Sequence, residues 1–426
     1  MNRKPTIAYV GMTHLGLCSA IAAASKGFET VGFDTDRDLI ARLEAGKLPV
    51  VEPELDALLS DSRAAIRFSA DPAALGQCDV IYVAPDVPTD DSGASDLGRL
   101  EELLILALEA SANGACVVIL SQVPPGFTRR RQRPGRLVYY QVETLVFGRA
   151  VERATRPERF MIGCSDPSAP LPPALSAYLS AFDCPVLPMR FESAELAKIS
   201  INCCLVASVS VANTLAELCE RIGADWAEIE PALRLDKRIG AFAYLKPGLG
   251  LAGGNLERDL ATVVRLSHEN GTEASVIRAF AANSAHRKNW VLRTLHENLL
   301  ADRPGARVGV LGIAYKENTH SVKNSASVAL IRMLGPCDVR VYDPVVPAET
   351  VACSWVTGAR SALDAATDAD GVAIMTPWPE FRSIDPGALA SRMRGRLVVD
   401  PFRMLDPRAA MSAGLSLRTL GVPGSD

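Results

Sequence analysis

Hydrophobic and polar positions follow two different periods along this chain. Short apolar runs of strand type, "TIAYVG", "VGFDTD", "CDVIYVAP", "ACVVILSQVPPG" and "RFMIGCSD", punctuate its first part and are spaced by helical or polar stretches. Alternation of that kind predicts a parallel sheet wrapped by helices. The period then changes. "ESAELAKISINCCLVASVSVANTLAELCERIG" keeps apolar residues at helical spacing for more than thirty residues without a proline, and "DLATVVRLSHENG" and "ASVIRAFAANSAHRKNWVLRTLHENLL" continue the pattern. From Arg307 the order strand, glycine turn, helix, strand, acidic residue returns in "ARVGVLGIAYKENTHSVKNSASVALIRMLGPCDVRVYDPVV", and "GVAIMTPWPEF" and "GRLVVDPF" add two strands. The expected fold is α/β, with two doubly wound Rossmann-like domains joined by a long helical central domain. Boundaries are expected at 1–189, 190–298 and 299–426.

The first of these domains opens with a turn that carries chemistry. In "TIAYVGMTHLGLCSAIAAASKGFETVGFDTD" a strand ends at Gly11, an Ala-rich helix follows Gly16, and a second strand ends at Asp34. An acidic residue about 20 positions beyond the first glycine is the arrangement in which a helix N-terminus receives a pyrophosphate and a carboxylate takes ribose hydroxyls. Gly11, Thr13, His14, Leu15, Gly16 and Asp34 are therefore the candidate cofactor contacts. Thr13 stands where the dinucleotide fingerprint has its middle glycine. An acid rather than a base at position 34 favours NAD over NADP.

Composition narrows the partners. A chain of 426 residues exceeds one hydrophobic core, and 48% hydrophobic with 22% charged residues describes an ordinary globular protein. A net charge of −4 argues against a general nucleic-acid or anionic-membrane binder, which leaves a small molecule. No run of about 18 apolar residues and no signal-peptide pattern is read, so a cytoplasmic protein without a membrane partner is expected. The ten cysteines are scattered, with no zinc-type spacing, and read as reduced, mostly buried thiols with no metal site.

Several stretches jointly resemble one family. "YVGMTHLGL" with "VGFDTD", "LIARLEAGKLPVVEPELDALL", "SQVPPGFT", "AELAKISIN", "LDKRIG", "PGLGLAGGNLERD" and "LGIAYKENTHSVKNS" are similar to the UDP-glucose/GDP-mannose dehydrogenase family. That resemblance implies oxidation of a nucleotide-sugar alcohol with NAD, an N-terminal NAD domain, a helical centre that forms a homodimer, and a C-terminal domain for the nucleotide of the substrate. It also implies site residues. The family's acyl-transfer glutamate matches Glu143 in "QVETL", and the lysine and asparagine that stabilise alkoxide and oxyanion match Lys198 and Asn202, one helical turn apart. Ser121 and Gln122 stand where the resemblance implies a cofactor-contacting serine-threonine pair, with Gln122 a departure from it. On the substrate side the resemblance implies Tyr244, Gly250, Lys316 and Lys323, with Arg238 lent across the dimer interface.

The glycine-rich stretch departs from the family at its centre. The nucleophilic cysteine that traps the aldehyde aligns with Asn255, the following lysine with Arg258, and the aspartate survives as Asp259. An amide has neither a strong nucleophilic lone pair nor an accessible anion near neutral pH. Further departures are Pro85-Asp86 for a threonine-proline pair and Lys323 for an arginine, which replaces a bidentate fork by a point charge. The leading reading is NAD-dependent oxidation of a nucleotide sugar, most simply a UDP-sugar, that stops after two electrons. Four-electron oxidation through an aldehyde hydrate, a redox-neutral enzyme that retains NAD such as an epimerase, and a non-catalytic binding paralogue stay open. NADH released per sugar separates them: one, two, none net, or none at all.

Overall fold

The apolar runs become the buried strands of two sheets. The structure is a computed structural model that describes residues 3–90, 94–335 and 337–424. It divides into two units, residues 1–201 and 202–426. In the first unit lie β1 (Ile7–Val10), β2 (Thr30–Phe33), β3 (Ile66–Ser69), β4 (Val80–Val83), β5 (Cys116–Ile119), β6 (Leu137–Gln141), β7 (Phe160–Cys164) and β8 (Val186–Arg190). Their order across the sheet is β3-β2-β1-β4-β5-β6-β7-β8. Side-chain alternation sends Ile7 and Tyr9 into one core and Ala8 and Val10 into the other, so β1 is apolar at every position. One pairing corrects the expectation of a parallel sheet: β6 and β7 run antiparallel, with Tyr140 opposite Gly163. A continuous apolar run reads the same in either direction, so periodicity is silent on this point.

The second unit holds β9 (Arg307–Leu311), β10 (Asp338–Tyr342), β11 (Val356–Gly358), β12 (Gly371–Ile374), β13 (Leu397–Val399) and β14 (Ser416–Arg418). All pair in parallel in the order β11-β10-β9-β12-β13-β14. Between the sheets in sequence come the helices Phe191–Ile222, Trp226–Leu235, Asn255–Glu269 and Ser275–Lys288, the first of which starts in one unit and ends in the other. Its 32 residues correct a second expectation: an 18-residue window has mean hydropathy 1.6, enough by length and composition to cross a membrane. Ser, Asn and Cys interleave its apolar residues, so a search for an unbroken run passes over it.

The first helix, His14–Ser25, approaches β1 as closely as backbone permits. A Cβ at Gly16 would stand 1.9 Å from the Gly11 carbonyl oxygen, and Gly11 itself has φ +95, with Pro85 N 2.8 Å from where its Cβ would be. Ala at position 16 must push the helix off the strand. Gly16→Ala is expected to destabilise the protein by about 3 kcal/mol, as overpacking of a rigid contact does. Urea unfolding measures it, and a change below about 1 kcal/mol would mean that the helix shifts without resistance.

Candidate active site

In the first unit the candidate cofactor residues gather at the C-terminal edge of β1, β2 and β4. Gly11 N–H donates to the Phe33 carbonyl at 2.8 Å, which folds the turn back on β2. Asp34 follows β2 directly, and its carboxylate accepts from Met12 N–H at 2.8 Å and from Asp36 N–H at 3.2 Å. Arg99, in the first turn of the helix Gly98–Ala110, pairs with the same carboxylate at 2.9 Å and with Thr35 Oγ1 at 2.7 Å. Nothing in "DLGRLEELL" marks Arg99 as a site residue; only the sheet order brings it there.

The helix His14–Ser25 begins at Thr13, and its first-turn amides, including those of His14, Leu15 and Gly16, face the mouth of the turn with no partners within the helix. One of them is taken: His14 N–H donates to Asp86 Oδ2 at 2.9 Å. The buried His14 ring bonds Glu52 at 3.0 Å and lies 4.2 Å from the Phe147 ring. Ser121 is fully buried and donates to the Pro85 carbonyl at 2.5 Å, which fixes the end of β4; Gln122 follows it, partly exposed.

Two of the candidate catalytic residues meet in this unit. Lys198, two turns into the long helix, places Nζ 3.2 Å from Glu143 Oε2, and both side chains are largely shielded. Glu195, one turn earlier, is buried and accepts from the amides of Gly126 and Thr128, so it anchors "PPGFT". Burial pushes its carboxyl above the ordinary carboxylate range, against those hydrogen bonds.

The remaining candidates lie in the second unit. Asn202 donates from Nδ2 to Asp259 Oδ2 at 2.5 Å, and Arg258 Nε stands 3.2 Å from Asp259 Oδ1; all three are buried. Both carboxylate oxygens of Asp259 are therefore engaged. Asn255 is the exposed first residue of the helix Asn255–Glu269, after Gly253 and Gly254, which take φ +83 and +94. The glycine-rich loop before it is held from three sides: Gly248 N–H donates to Asn213 Oδ1 at 2.8 Å, Leu251 N–H to Ser284 Oγ at 2.8 Å, and Gly253 N–H to the Lys323 carbonyl at 3.0 Å. Gly250 and Gly253 permit this, since a Cβ at either would meet Ser284 O at 2.5 Å or the Tyr315 ring at 2.9 Å. Lys316 Nζ lies 5.7 Å from the centre of that ring.

Arg238 and Tyr244 do not join this cluster; both are exposed, and Arg238 bonds only its near neighbour Asp236 at 2.6 Å. Two thiols, one in each unit, are held protonated. Burial, with Asp259 beside it, pushes Cys203 up to about 11, and burial pushes Cys18 up to about 12.

Residues 5–171 match the NAD binding domain of the UDP-glucose/GDP-mannose dehydrogenase family, residues 192–285 its central domain, and residues 309–407 its UDP binding domain. The chain is 29% identical to the UDP-glucose 6-dehydrogenase of Pseudomonas aeruginosa over 443 residues, 97% of each chain. It is also 29% identical to the UDP-glucose 6-dehydrogenase AglM of Haloferax volcanii over 428 residues, 95% of this chain and 98% of that one. Among solved structures, a UDP-glucose dehydrogenase from Pyrobaculum islandicum superposes with a TM-score of 0.83 at 27% identity, covering 99% of this chain and 98% of the other.

The buried triad yields a prediction. Asp259→Leu removes the buried carboxylate that Asn202 and Arg258 both use, so it is expected to cost about 3–5 kcal/mol of stability by urea unfolding. A loss under about 1 kcal/mol would show that these buried groups contribute little to stability.

Proposed function

The chain belongs to the UDP-glucose/GDP-mannose dehydrogenase family, and from that premise we propose that it oxidises the alcohol of a UDP-sugar with NAD by one two-electron step, without a covalent intermediate. The observation that carries this reading is Asn255. It stands first in the helix Asn255–Glu269, behind two glycines in left-handed conformation, where a thiolate would gain from the helix dipole. The amide there can donate and accept hydrogen bonds but cannot attack an aldehyde.

NAD fits the first unit. The turn leaves at Gly11 and Gly16 the backbone-to-backbone approach that any Cβ would fill, and Asp34 stands at the end of β2. Gly11, Thr13 to Gly16 and Asp34 would hold it, with Ser121 and Gln122 alongside, and when bound it supplies the hydride acceptor. The protein's own work is charge and orientation. Lys198 gives a fixed positive charge for the oxygen that loses its proton, and Glu143, its partner at 3.2 Å, is the carboxylate in reach to take that proton. The locked pair Asn202 and Asp259 supports an oriented amide donor and disfavours Asp259 as an activator of water, since neither of its oxygens is free of a partner. Tyr244, Gly250, Lys316 and Lys323 are proposed for the substrate, with the lysines on its phosphates. The three-part division at 190 and 299 is proposed on the same footing, and the cytoplasm as its compartment accords with ten unpaired cysteines.

The test is the yield of NADH per sugar across a panel of nucleotide sugars, with products weighed by mass spectrometry. One NADH and an aldehyde or ketone are expected, and no covalent adduct on the intact protein. Asn255→Cys is expected to raise the yield toward two and shift the product toward acid, and Lys198→Ala to slow turnover roughly 10 to 1,000-fold. Two NADH and a carboxylate from the unmodified protein would replace this reading by the hydrate route.

A homodimer is proposed as the active form. Val211, Leu215, Leu218 and Ile222 form one exposed apolar face of the long helix, and Phe242 stands almost fully exposed beside the loop that presents Arg238. Leu215→Asp with Leu218→Asp is expected to give an inactive monomer by light scattering. A fully active monomer of the unmodified chain would reject both the dimer and the role of Arg238.

A further inference from the structure

Two departures from the family pattern, Thr13 and Asp86, belong to one device. They lie 73 positions apart, at the ends of β1 and β4, and two bonds tie the segments: Asp86 N–H donates to Thr13 Oγ1 at 2.7 Å, while Asp86 Oδ2 accepts from the next residue's amide, His14 N–H, at 2.9 Å. Glycine at 13 would supply no hydroxyl, and the proline that the family has at 86 neither an N–H nor a carboxylate. Each replacement gives the other its partner. The result is a carboxylate bonded to the first amide of a twelve-residue helix, in the turn where a dinucleotide's pyrophosphate is received.

A carboxylate and a pyrophosphate cannot share that amide at low cost, since both are anions and the amide has one hydrogen. Resting on the NAD reading above, we propose that Asp86, held by Thr13, is an internal competitor for the cofactor's pyrophosphate, so that NAD binds only as Asp86 takes up a proton or swings away. The surroundings favour the proton. Glu143 faces Asp86 and disfavours its charge; His14, whose ring is tied to Glu52, favours it; the Cys18 thiol lies on the same helix. Although the residue keeps an exposed flank, burial pushes its carboxyl above the ordinary carboxylate range, against His14 and the hydrogen bonds from Thr13 and His14. An incoming pyrophosphate pushes it further the same way. Protons therefore accompany NAD, and affinity rises as pH falls.

Calorimetry with NAD, in two buffers of different ionisation enthalpy at about pH 6 and about pH 8, reads both affinity and proton uptake. Asp86→Asn keeps an acceptor for the His14 amide and removes the charge; Thr13→Gly with Asp86→Ala removes the whole clasp. Relative to the unmodified chain, both are expected to bind NAD roughly tenfold more tightly at the higher pH and to take up fewer protons. Adenosine, which has no pyrophosphate, is expected to bind all three proteins alike. Equal NAD affinity and equal proton uptake in the folded variants would overturn the proposal, as would an equal gain for adenosine, which would mark a general change of the pocket. If no form binds NAD at either pH while all melt cooperatively, the NAD reading falls and takes this one with it.

Discussion

The contact between the first helix and the end of β1 sets the geometry on which the N-terminal unit depends. With Gly11 and Gly16 at backbone distance, the helix axis is aimed so that its first-turn amides point across the edge of the sheet. Three bonds gather around this turn. Asp34 can reach back to the Met12 amide, Arg99 can reach Asp34 from the far side of the strand switch, and Asp86 can reach the His14 amide. A methyl at residue 16 would push that helix off β1 and with it the His14 amide that Asp86 bonds.

The second unit solves the same problem with different parts. Gly312 ends β9 with φ +98, and a Cβ there would meet Thr376 at 2.4 Å. Asp343, after β10, accepts from the amides of Ile313 and Ala314 at 2.6 and 3.1 Å, as Asp34 does from Met12. Those hydrogen bonds hold its carboxyl below the ordinary range despite burial. Here Trp378 Nε1 also points at Asp343, at 3.1 Å. A second acid at the end of a second strand is thus a way to hold a βαβ turn, and becomes a cofactor residue only where the turn leaves room for one.

Polar groups in the candidate site are arranged as mutual partners: Lys198 with Glu143, Asn202 with Asp259, Arg258 with Asp259. Such pairing keeps charges inside the protein at tolerable cost and fixes their rotamers before a substrate arrives. Asn255 stands outside these pairs, exposed at a helix start.

Much of this was legible in the chain. Period-two and continuous apolar runs marked β1, β2, β4, β5 and β7, helical spacing marked the long helix, and the distance from Gly11 to Asp34 marked a nucleotide turn, because each of these signals is local and set by the backbone period. The identity of the residues at 143, 198, 202, 255 and 259 was likewise a property of motifs that are continuous in sequence. What the sequence left undecided are the encounters between distant segments. The antiparallel join of β6 and β7, Arg99 on Asp34 across 65 positions, and Asp86 on His14 across 72 depend on which strands become neighbours. No local period encodes strand order; it follows from how whole faces bury against one another, and only the folded sheet brings a carboxylate from the end of β4 to the amide that opens the first helix.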